Sequence, residues 1–372
     1  MAQYIFVGCD LHDRNLVLQW AVDADDPQRC SFQNSVRGRR ALVVWLRRVK
    51  RSVLATTVAF AYEASGQGFV LSDQLTAAGF WCHIVPPTKM ERSPHDRKNK
   101  SDAGDALRLL RMLRNHYLAG DKLPSVWVPD LATRDDRELT RGRLDLSRQL
   151  TAAKAKVRSL LKRHGIEKPE SAGKTAWTKK HRRWMHSLVG SSTDLRQWGA
   201  FRLESLLRQV EQIEGELALF EAAVEALAHD ERYAKAVAEI TKPKGISLTT
   251  AMVFLTELGD PTRFANRRKL AAYLGLVPSK HDSGERTEHH GHITHEGSGR
   301  VRHVLGQAAW ASVRLNPGVR RVYDRLVAKN PKKRKIAIVA VMRRLAIHLW
   351  HRALEAHGEP TPAPAPAAAS QA

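Results

Sequence analysis

Residues 4–22 read YIFVGCDLHDRNLVLQWAV, with apolar runs at 4–9 and 16–22 on either side of the turn-prone DLHDRN. A weaker run at residues 30–33 follows a second polar turn, DADDPQ. Short apolar runs bounded by such turns predict β-strands. Three of them in direct succession predict a meander.

The next part of the chain alternates predicted helices with predicted strands. Apolar residues recur at helical spacing in GRRALVVWLRRVKR, residues 38–51. The strand TTVAFAYE then ends at Glu63, and it is followed by a helix at 70–77, the strand WCHIVP at 81–86 and a helix at about 102–116. The order β-β-β-α-β-α-β-α is typical of the ribonuclease H fold, to which RuvC-like domains belong.

The middle of the chain contains almost no strand-like pattern and predicts two long helices. Apolar residues line both helices at mixed spacings of three and four, namely Leu139, Leu144, Leu146, Leu150, Val157 and Leu161, then Leu203, Leu206, Val210, Ile213, Leu217, Phe220, Val224 and Leu227. This spacing predicts an antiparallel coiled coil. The basic segment between them, 164–192, contains Trp177 and Trp184 and is either a nucleic-acid contact or a solvated linker with two packing tryptophans.

The last part of the chain is predicted to be mainly helical. Within it KPKGISLTTAMVFLTELGD, residues 242–260, resembles half of a helix-hairpin-helix, in which a glycine turn aims backbone N–H groups at a phosphate. The Pro/Ala-rich tail has nothing to bury and is predicted to be disordered. The expected organisation is an α/β domain at 1–125, a coiled coil at 126–232, a mainly helical domain at 233–355 and the tail at 356–372.

The chain carries 61 Lys and Arg against 38 Asp and Glu, a formal net charge of +23 over 372 residues. Nucleic acid is the expected partner, because a dense polyphosphate releases condensed counterions into such a field. A membrane surface would favour one basic amphipathic helix, whereas these cations are spread from Arg37 to Arg352. No apolar run approaches the ~20 residues that cross a bilayer, and no export signal is present, so a cytoplasmic protein is expected.

Four acidic residues fall where the predicted fold brings them together. Asp10 ends the first strand, and Glu63 ends the fourth, which is its neighbour in a ribonuclease H sheet. Asp102 and Asp105 share one face of a later helix. Each acid alone also has an ordinary interpretation as a turn or helix N-terminal residue. Four adjacent carboxylates raise each other's pKa and need cations, and Mg²⁺ or Mn²⁺ with oxygen ligands meets that need.

Several blocks of sequence together resemble the transposases of the insertion sequence 110 family. They are GCDLHDRN around Asp10, AYEASG around Glu63, KNKSDAGDAL around Asp102 and Asp105, and the block 245–305 that begins GISLTTAMVFLTELGD. The resemblance covers nearly the whole chain apart from the tail. It implies a DNA recombinase with a RuvC-like domain bearing a DEDD tetrad, a coiled coil and a small transposase domain with a nucleophilic serine.

Carried over residue by residue, the resemblance places the tetrad on Asp10, Glu63, Asp102 and Asp105, and the serine on Ser283 in GLVPSKHDSG. It implies that this serine attacks DNA and forms a phosphoserine link. It also implies target and donor DNA as substrates, and a noncoding bridge RNA as guide. The family's composite active site contains residues of two subunits, so a dimer or tetramer is expected. The protein is expected to be associated with the nucleoid when it is bound to DNA.

The predicted nucleic-acid contacts are basic residues near the two expected centres: Arg97, Lys98, Lys100, Lys280, Arg286 and Arg300. The first three directly precede the helix acids and suit a phosphate backbone that enters a metal site. A histidine cluster, His289, His290, His292 and His295, could bind zinc, but without Cys or carboxylate partners nearby we favour DNA contact or solvation.

Two other functions stay open at this point. A RuvC-like nuclease or junction resolvase would use the acids to activate water, with Ser283 merely structural. A non-catalytic nucleic-acid-binding protein would have kept only the fold. Ser279 and Ser298 are the competing candidates for the nucleophile.

Overall fold

The protein is described by a computed structural model that covers residues 3–90, 102–190, 195–280, 290–329 and 331–358. The chain divides into two compact units, Met1–Val128 and Pro129–Ala372. Each unit has hydrophobic cores of its own. The first is a mixed α/β unit, and the second is mainly helical.

The first unit contains a five-stranded sheet in the order β3-β2-β1-β4-β5. Its strands are β1 Tyr4–Leu11, β2 Asn15–Val22, β3 Gln28–Gln33, β4 Thr57–Glu63 and β5 Trp81–Val85. The first three form an antiparallel meander, while β4 pairs in parallel with both β1 and β5. The predicted meander and the predicted pairing of the first and fourth strands are confirmed.

Among the residues that the structure describes, three helices cover the two faces of this sheet. The helices α1 (Val36–Ser52) and α2 (Val70–Ala77) pack on one face, and α3 (Asp102–Ala119) packs on the other. The alternation of side chains along β1 explains the division, since Val7 packs with α1 and α2 while its neighbour Phe6 packs with α3. The three helices lie where the sequence predicts them.

The helix α3 approaches β1 very closely at Gly8. A Cβ atom at Gly8 would lie 2.0 Å from the carbonyl oxygen of Ala106 and 2.6 Å from the backbone nitrogen of Leu110. Ala61 of β4 is the register partner of Gly8, so small residues line the face that the helix crosses. Glycine at residue 8 therefore permits the contact that holds α3 against β1.

The second unit is built from helices. They are α4 Leu131–Arg163, α5 Lys179–Gly190, α6 Gln197–Ala228, α7 Ala234–Thr241, α8 Leu248–Leu258, α9 Arg267–Tyr273, α10 Gly299–Leu315, α11 Pro317–Lys329 and α12 Arg334–His357. Short 3₁₀ helices lie at Glu170–Ala172, Pro261–Arg263 and Pro331–Lys333, and one lies in the first unit at Pro87–Lys89. From Pro129 onward, the described residues of the predicted coiled coil (126–232) and of the predicted helical domain (233–355) belong to this one unit.

The helices α4 and α6 are the two long helices that the apolar spacing predicts. Their ion pairs show that they run antiparallel, because Arg143 of α4 meets Glu221 at 2.6 Å while Lys154, further along α4, meets the earlier Glu214 at 2.7 Å. Apolar residues of both helices share one buried cluster. The predicted antiparallel pairing is therefore present in the second unit.

A buried arginine fastens α4 to α8. The guanidinium of Arg137 donates hydrogen bonds to the carbonyl oxygens of Thr256 at 2.8 Å and Glu257 at 2.9 Å. These carbonyls lie in the last turn of α8, where a helix leaves acceptors without partners of its own. The carboxylate of the same Glu257 accepts from Arg141 at 2.7 Å. Polar groups at this helix end are thus satisfied inside the unit.

The predicted glycine turn lies between α7 and α8. Gly245 has a φ of +102°, and a Cβ atom there would lie 2.6 Å from the backbone nitrogen of Ser312 on α10. The hydroxyl of Ser247 caps α8 by accepting from the Thr250 N–H at 3.2 Å. The turn therefore has a packing role, and its phosphate-binding role stays a prediction.

Two short strands, β6 Pro278–Lys280 and β7 His290–Ile293, pair antiparallel. The sequence analysis predicts no strands here, because PSK and HGHI have neither the length nor the apolar alternation of a half-buried strand. The residues between them, with Ser283, lie outside the described residues, as do residues 359–372 of the predicted tail. The predicted start of the tail at residue 356 is wrong, because Ala356 and His357 belong to α12. Across the described helices, none is long and apolar enough to cross a membrane.

Candidate active site

The first two predicted acids lie side by side at one edge of the sheet. In the parallel pair of β1 and β4, Cys9 is the register partner of Tyr62, so Asp10 and Glu63 occupy the next position on each strand. Both follow the alternation that includes Gly8 and Ala61, and this is the face that α3 covers. Neighbouring strands lie about 4.7–4.9 Å apart, so the backbone places Asp10 and Glu63 side by side on the same face of the sheet.

The other two acids arrive on the first turn of α3. Asp102 is the first residue of this helix and Asp105 is buried. The close contact of α3 with β1 at Gly8 carries this turn to the strand that bears Asp10. The helix α3 thus brings Asp102 into one cluster with Asp10, whereas Glu63 and Asp105 are not among the side chains whose ligand atoms lie within 4.8 Å of one another.

A histidine that the sequence analysis did not select lies between two of the acids. The Nε2 atom of His12 lies 3.1 Å from Oδ2 of Asp10 and 3.3 Å from Oδ1 of Asp102. Ligand atoms of these three side chains all lie within 4.8 Å of one another, a spacing that one metal ion could bridge. A signal was available, since His12 follows Asp10 by two residues and alternate residues of an extended chain point the same way.

The electrostatics of the cluster disfavour charge on Asp10. Its side chain is 12 % exposed, against 52 % for that of Asp102. Burial raises the pKa of the Asp10 carboxyl above its usual value, His12 opposes this, and the Asp102 and Asp105 carboxylates raise the pKa further. A bound cation would reverse this penalty, because it favours the ionised form of every acid around it.

The buried Asp105 has a partner on its own helix. Arg108 donates from Nη1 to Oδ1 of Asp105 at 2.7 Å, and the Asp105 side chain is 8 % exposed. A buried carboxylate needs such a partner, since an uncompensated charge out of water is costly. One oxygen of Asp105 is therefore committed to Arg108, whereas Asp10 and Asp102 present oxygens to each other across His12.

The donor set fits a divalent cation. Carboxylate oxygens are the ligands that Mg²⁺ and Mn²⁺ prefer, and the described cluster supplies them from Asp10 and Asp102, with Glu63 and Asp105 on the adjacent strand and helix turn. The Nε2 atom of His12 adds a nitrogen ligand, which Mn²⁺ accepts more readily than Mg²⁺ does. Such a site can stabilise negative charge on a phosphodiester.

Most of the other predicted site residues lie outside what the structure describes. These are Arg97, Lys98, Lys100, Ser283 and Arg286, together with the side chain of Lys280. Nor are the side chains of His289 and His290 described, so the zinc alternative for that cluster stays untested, while His292 and His295 are exposed.

Three further predicted residues are described. Ser279 is half-buried in β6. Ser298 is the N-cap of α10, and its hydroxyl accepts from the Val301 N–H at 3.4 Å. Arg300 lies on the first turn of α10 and is half-buried. The hydroxyl of Ser298 therefore has a structural role, and the nucleic-acid role of Arg300 stays a prediction.

Comparison with known families assigns the chain to the transposases. Residues 7–166 match the DEDD transposase family of the IS110 type, and residues 237–324 match the family described as transposase IS116/IS110/IS902. The first match contains all four predicted acids, and the second contains Ser283.

Curated relatives agree with this assignment. The transposase y4qE of Sinorhizobium fredii is 31 % identical over 324 residues, which cover 80 % of this chain and 76 % of that protein. The transposase y4rJ of the same organism is 28 % identical over 305 residues, covering 77 % and 75 %. The transposase of insertion sequence element IS1533 from Leptospira borgpetersenii is 24 % identical over 269 residues, covering 72 % and 73 %. The chain belongs to the IS110 family of transposases, and the resemblance seen in the sequence is confirmed.

Proposed function

We propose that this transposase cleaves and rejoins DNA strands in a metal-dependent reaction centred on Asp10, Glu63, Asp102 and Asp105. The observation that carries the proposal is the convergence of Asp10 and Asp102, which are far apart in sequence, around His12. A ribonuclease H (RuvC-like) fold for the first unit is part of the proposal, supported by the strand order β3-β2-β1-β4-β5 with a parallel β1–β4 pair.

The four acids would hold Mg²⁺ or Mn²⁺. When bound, such a cation supplies positive charge to the oxygens of the scissile phosphodiester and lowers the cost of forming an alkoxide. The half-buried carboxylate of Asp10 and the exposed carboxylate of Asp102 would both bind the cation. Arg108 holds Asp105 in place. Arg97, Lys98, Lys100, Lys280, Arg286 and Arg300 would contact phosphates, as their charge and positions suggest.

Ser283 is the proposed nucleophile. Its hydroxyl oxygen would attack the phosphorus, the leaving oxygen would depart as the strand end, and a phosphoserine link would remain. The support is its place in GLVPSKHDSG inside the matched transposase segment, with His281 two residues away to take the proton. Family membership implies DNA as the substrate. A guide RNA, a dimer or tetramer, and a cytoplasmic setting complete the proposal, with the +23 charge in support of the RNA.

A covalent-adduct assay tests the proposal. Incubation with a DNA carrying the element's ends, the noncoding RNA from its flanks and Mg²⁺ should give a protein–DNA adduct that maps by mass spectrometry to Ser283. Ser283→Ala and Asp10→Asn should each abolish the adduct, while Asp26→Asn, at an exposed loop position of the first unit, should not. An adduct on Ser279 or Ser298 would refute the role of Ser283.

A water-using nuclease is the second candidate, because the described acidic cluster belongs to a unit that contains no part of the serine segment. The same assay separates the two functions. Full strand cleavage by Ser283→Ala, lost in Asp10→Asn, would establish water as the nucleophile. Cleavage that needs both residues would exclude it.

A further inference from the structure

A cavity of about 380 Å³ lies at the C-terminal end of α4, in the second unit. Its walls come from the last turns of α4, the loop that follows and the first turns of α5. The volume falls within the range of roughly 300–1,000 Å³ that is usual for small-ligand pockets. This is the segment for which the sequence left a nucleic-acid contact and a packing linker as alternatives.

Aromatic rings form much of the wall. The imidazole of His181 stacks on Trp184, with ring centroids 5.4 Å apart and planes 29° apart. Trp177 meets the same imidazole edge-on at 6.0 Å and 83°. All three rings line the cavity, and both tryptophans are only half-buried. The planes of Trp177 and His181 are therefore nearly perpendicular, while those of His181 and Trp184 are nearly parallel. Nζ of Lys154 and the guanidinium of Arg182 lie 5.1 Å and 5.5 Å from the centroid of the Trp177 ring.

The backbone of Trp177 is strained. Its φ is +66°, in the left-handed region that bulky residues rarely adopt. Two hydrogen bonds hold it there, from the Trp177 N–H to Nδ1 of His181 at 2.9 Å and from Nε of Arg182 to the Trp177 carbonyl at 3.1 Å. Strain of this kind persists where the surroundings over-determine it, which is common at binding sites.

The hydrogen bond of His181 determines which of its two ring nitrogens carries the proton. Since Nδ1 accepts from Trp177, the neutral ring carries its proton on Nε2. Burial lowers the pKa of His181, and the charges of Lys168 and Arg182 lower it further, so the neutral form prevails at physiological pH. Nε2 of His181, on a ring that lines the cavity, is therefore a hydrogen-bond donor.

The rim of the cavity is cationic. Arg158, Lys162 and Lys168 line it, against a single acid, Glu167. Arg158 and Lys162 are exposed on one face of α4 and form no ion pair with any residue that the structure describes. Lys168 donates to the carbonyls of Gly173 and Lys174 and so stiffens the loop. An anionic group at the mouth would meet unpaired positive charge.

We propose that this cavity binds an unpaired nucleotide, with its base against Trp177 and Trp184 and its phosphate at Arg158 and Lys162. Stacked aromatic rings beside a positive rim are the means by which proteins hold single-stranded nucleic acid without reading its sequence. Nε2 of His181 would donate to an acceptor on the base edge. This proposal rests on one part of the proposed function, namely that the chain binds nucleic acid. It does not depend on the metal site, on Ser283 or on strand cleavage.

Binding of the full-length protein to labelled 12-residue oligo(U) RNA and oligo(dT) DNA tests the proposal by fluorescence anisotropy, in EDTA and with excess duplex DNA to occupy other basic surfaces. Trp184→Ala should weaken single-strand binding by about 5- to 150-fold, the effect of one lost base stack. Trp177→Gly should weaken it similarly, and glycine adopts the positive φ of this residue without strain. Trp198→Ala, at a 73 % exposed tryptophan of α6, is the matched control and should bind like wild type.

The rim is tested separately, in case the aromatic variants fail to fold. Arg158→Gln and Lys162→Gln together should lower the dependence of log K on log salt by up to about 1.4, at about 0.7 per cation for a single strand, whereas Lys156→Gln, on the opposite face of α4, should leave the slope of single-strand binding almost unchanged. Crosslinks from 5-bromouracil oligonucleotides should map to Trp177 or Trp184.

The outcomes are distinct. If the variants weaken binding of RNA alone, the pocket binds an RNA nucleotide. If they weaken binding of DNA alone, it binds a nucleotide of a displaced DNA strand. If they weaken both, the pocket does not distinguish ribose from deoxyribose. Unchanged affinity and slope in folded Trp184→Ala and rim variants would overturn the proposal, as would equal weakening by Trp198→Ala. The binding assay runs in EDTA and needs no strand cleavage, so loss of the proposed catalysis and loss of the pocket are separable results.

Discussion

Gly8→Ala should disrupt the active site without touching any acid. The added Cβ would lie 2.0 Å from the carbonyl oxygen of Ala106 and 2.6 Å from the nitrogen of Leu110, and ordinary contact begins near 3.4 Å. Both atoms belong to the backbone of α3, so a rotamer change cannot relieve the clash. The helix must move away from β1 by about 1.4 Å at the Ala106 oxygen, and Asp102 and Asp105 move with it.

The size of the effect follows from this displacement. Overpacking of this kind costs typically about 1–3 kcal/mol, which would lower the unfolding midpoint of the first unit by about 4–12 °C. Activity should fall further than stability does, because a misplacement of about 1 Å at catalytic groups costs on the order of 100-fold in rate. At a temperature where the variant is fully folded, DNA cleavage should therefore be reduced by about 100-fold.

Differential scanning calorimetry and a strand-cleavage assay measure the two effects. Gly66→Ala is the matched control: a Cβ there meets nothing within 4 Å, so both stability and cleavage should stay near wild type. The reasoning fails if Gly8→Ala cleaves DNA at the wild-type rate with an unchanged midpoint. It also fails if Gly66→Ala is damaged equally, because the close approach of α3 would then not be the cause.

Three other predictions concern stability, pH dependence and the nucleophile. Arg137→Met leaves the α8 carbonyls without their donor and should destabilise the second unit by about 1–3 kcal/mol in urea unfolding, and an unchanged midpoint would contradict this. Burial, and then His116, lowers the pKa of His83, so the unfolded chain takes up a proton first and stability should drop as pH falls through about 6.5, the ordinary histidine value, towards the lower pKa of the folded state. His83→Phe should flatten that drop in thermal melts, and an equally steep drop would refute the assignment. Ser298→Ala removes a helix cap and should cost about 1 kcal/mol while the covalent adduct still forms, and loss of the adduct in the folded variant would reopen Ser298 as nucleophile.

Much of the fold follows from local sequence pattern. Apolar runs between polar turns predict the five strands of the sheet, and residues at helical spacing predict α1, α3, α4 and α6, all of which the structure confirms. The hairpin of β6 and β7 was not predicted, because its strands are too short to show alternation. Predictable elements are those whose buried face spans several turns or strand positions.

The acids of the candidate site could also be predicted from the sequence. Asp10 and Glu63 lie at the ends of two neighbouring strands, on the same face of the sheet, and Asp102 lies at the start of a helix. Sequence pattern, topology and family resemblance therefore all select these acids. The same reasoning could have included His12 by its alternation with Asp10. It could not have shown that His12 lies 3.1 Å and 3.3 Å from two different acids, since that depends on where α3 comes to rest.

The sequence by itself determined the order of the elements and which side chains carry charge, because these depend on residue types and on periods of two and 3.6 along the chain. Its resemblance to a known family, and not its periodicity, indicated the class of protein. The tertiary structure alone decided the contact of α3 at Gly8, the bond of Arg137 to α8 and the strained Trp177 beside a cationic cavity. Each of these joins groups whose distance is set by packing rather than by spacing in the sequence. Close packing admits few arrangements of the backbone, and only the folded chain shows which one these residues share.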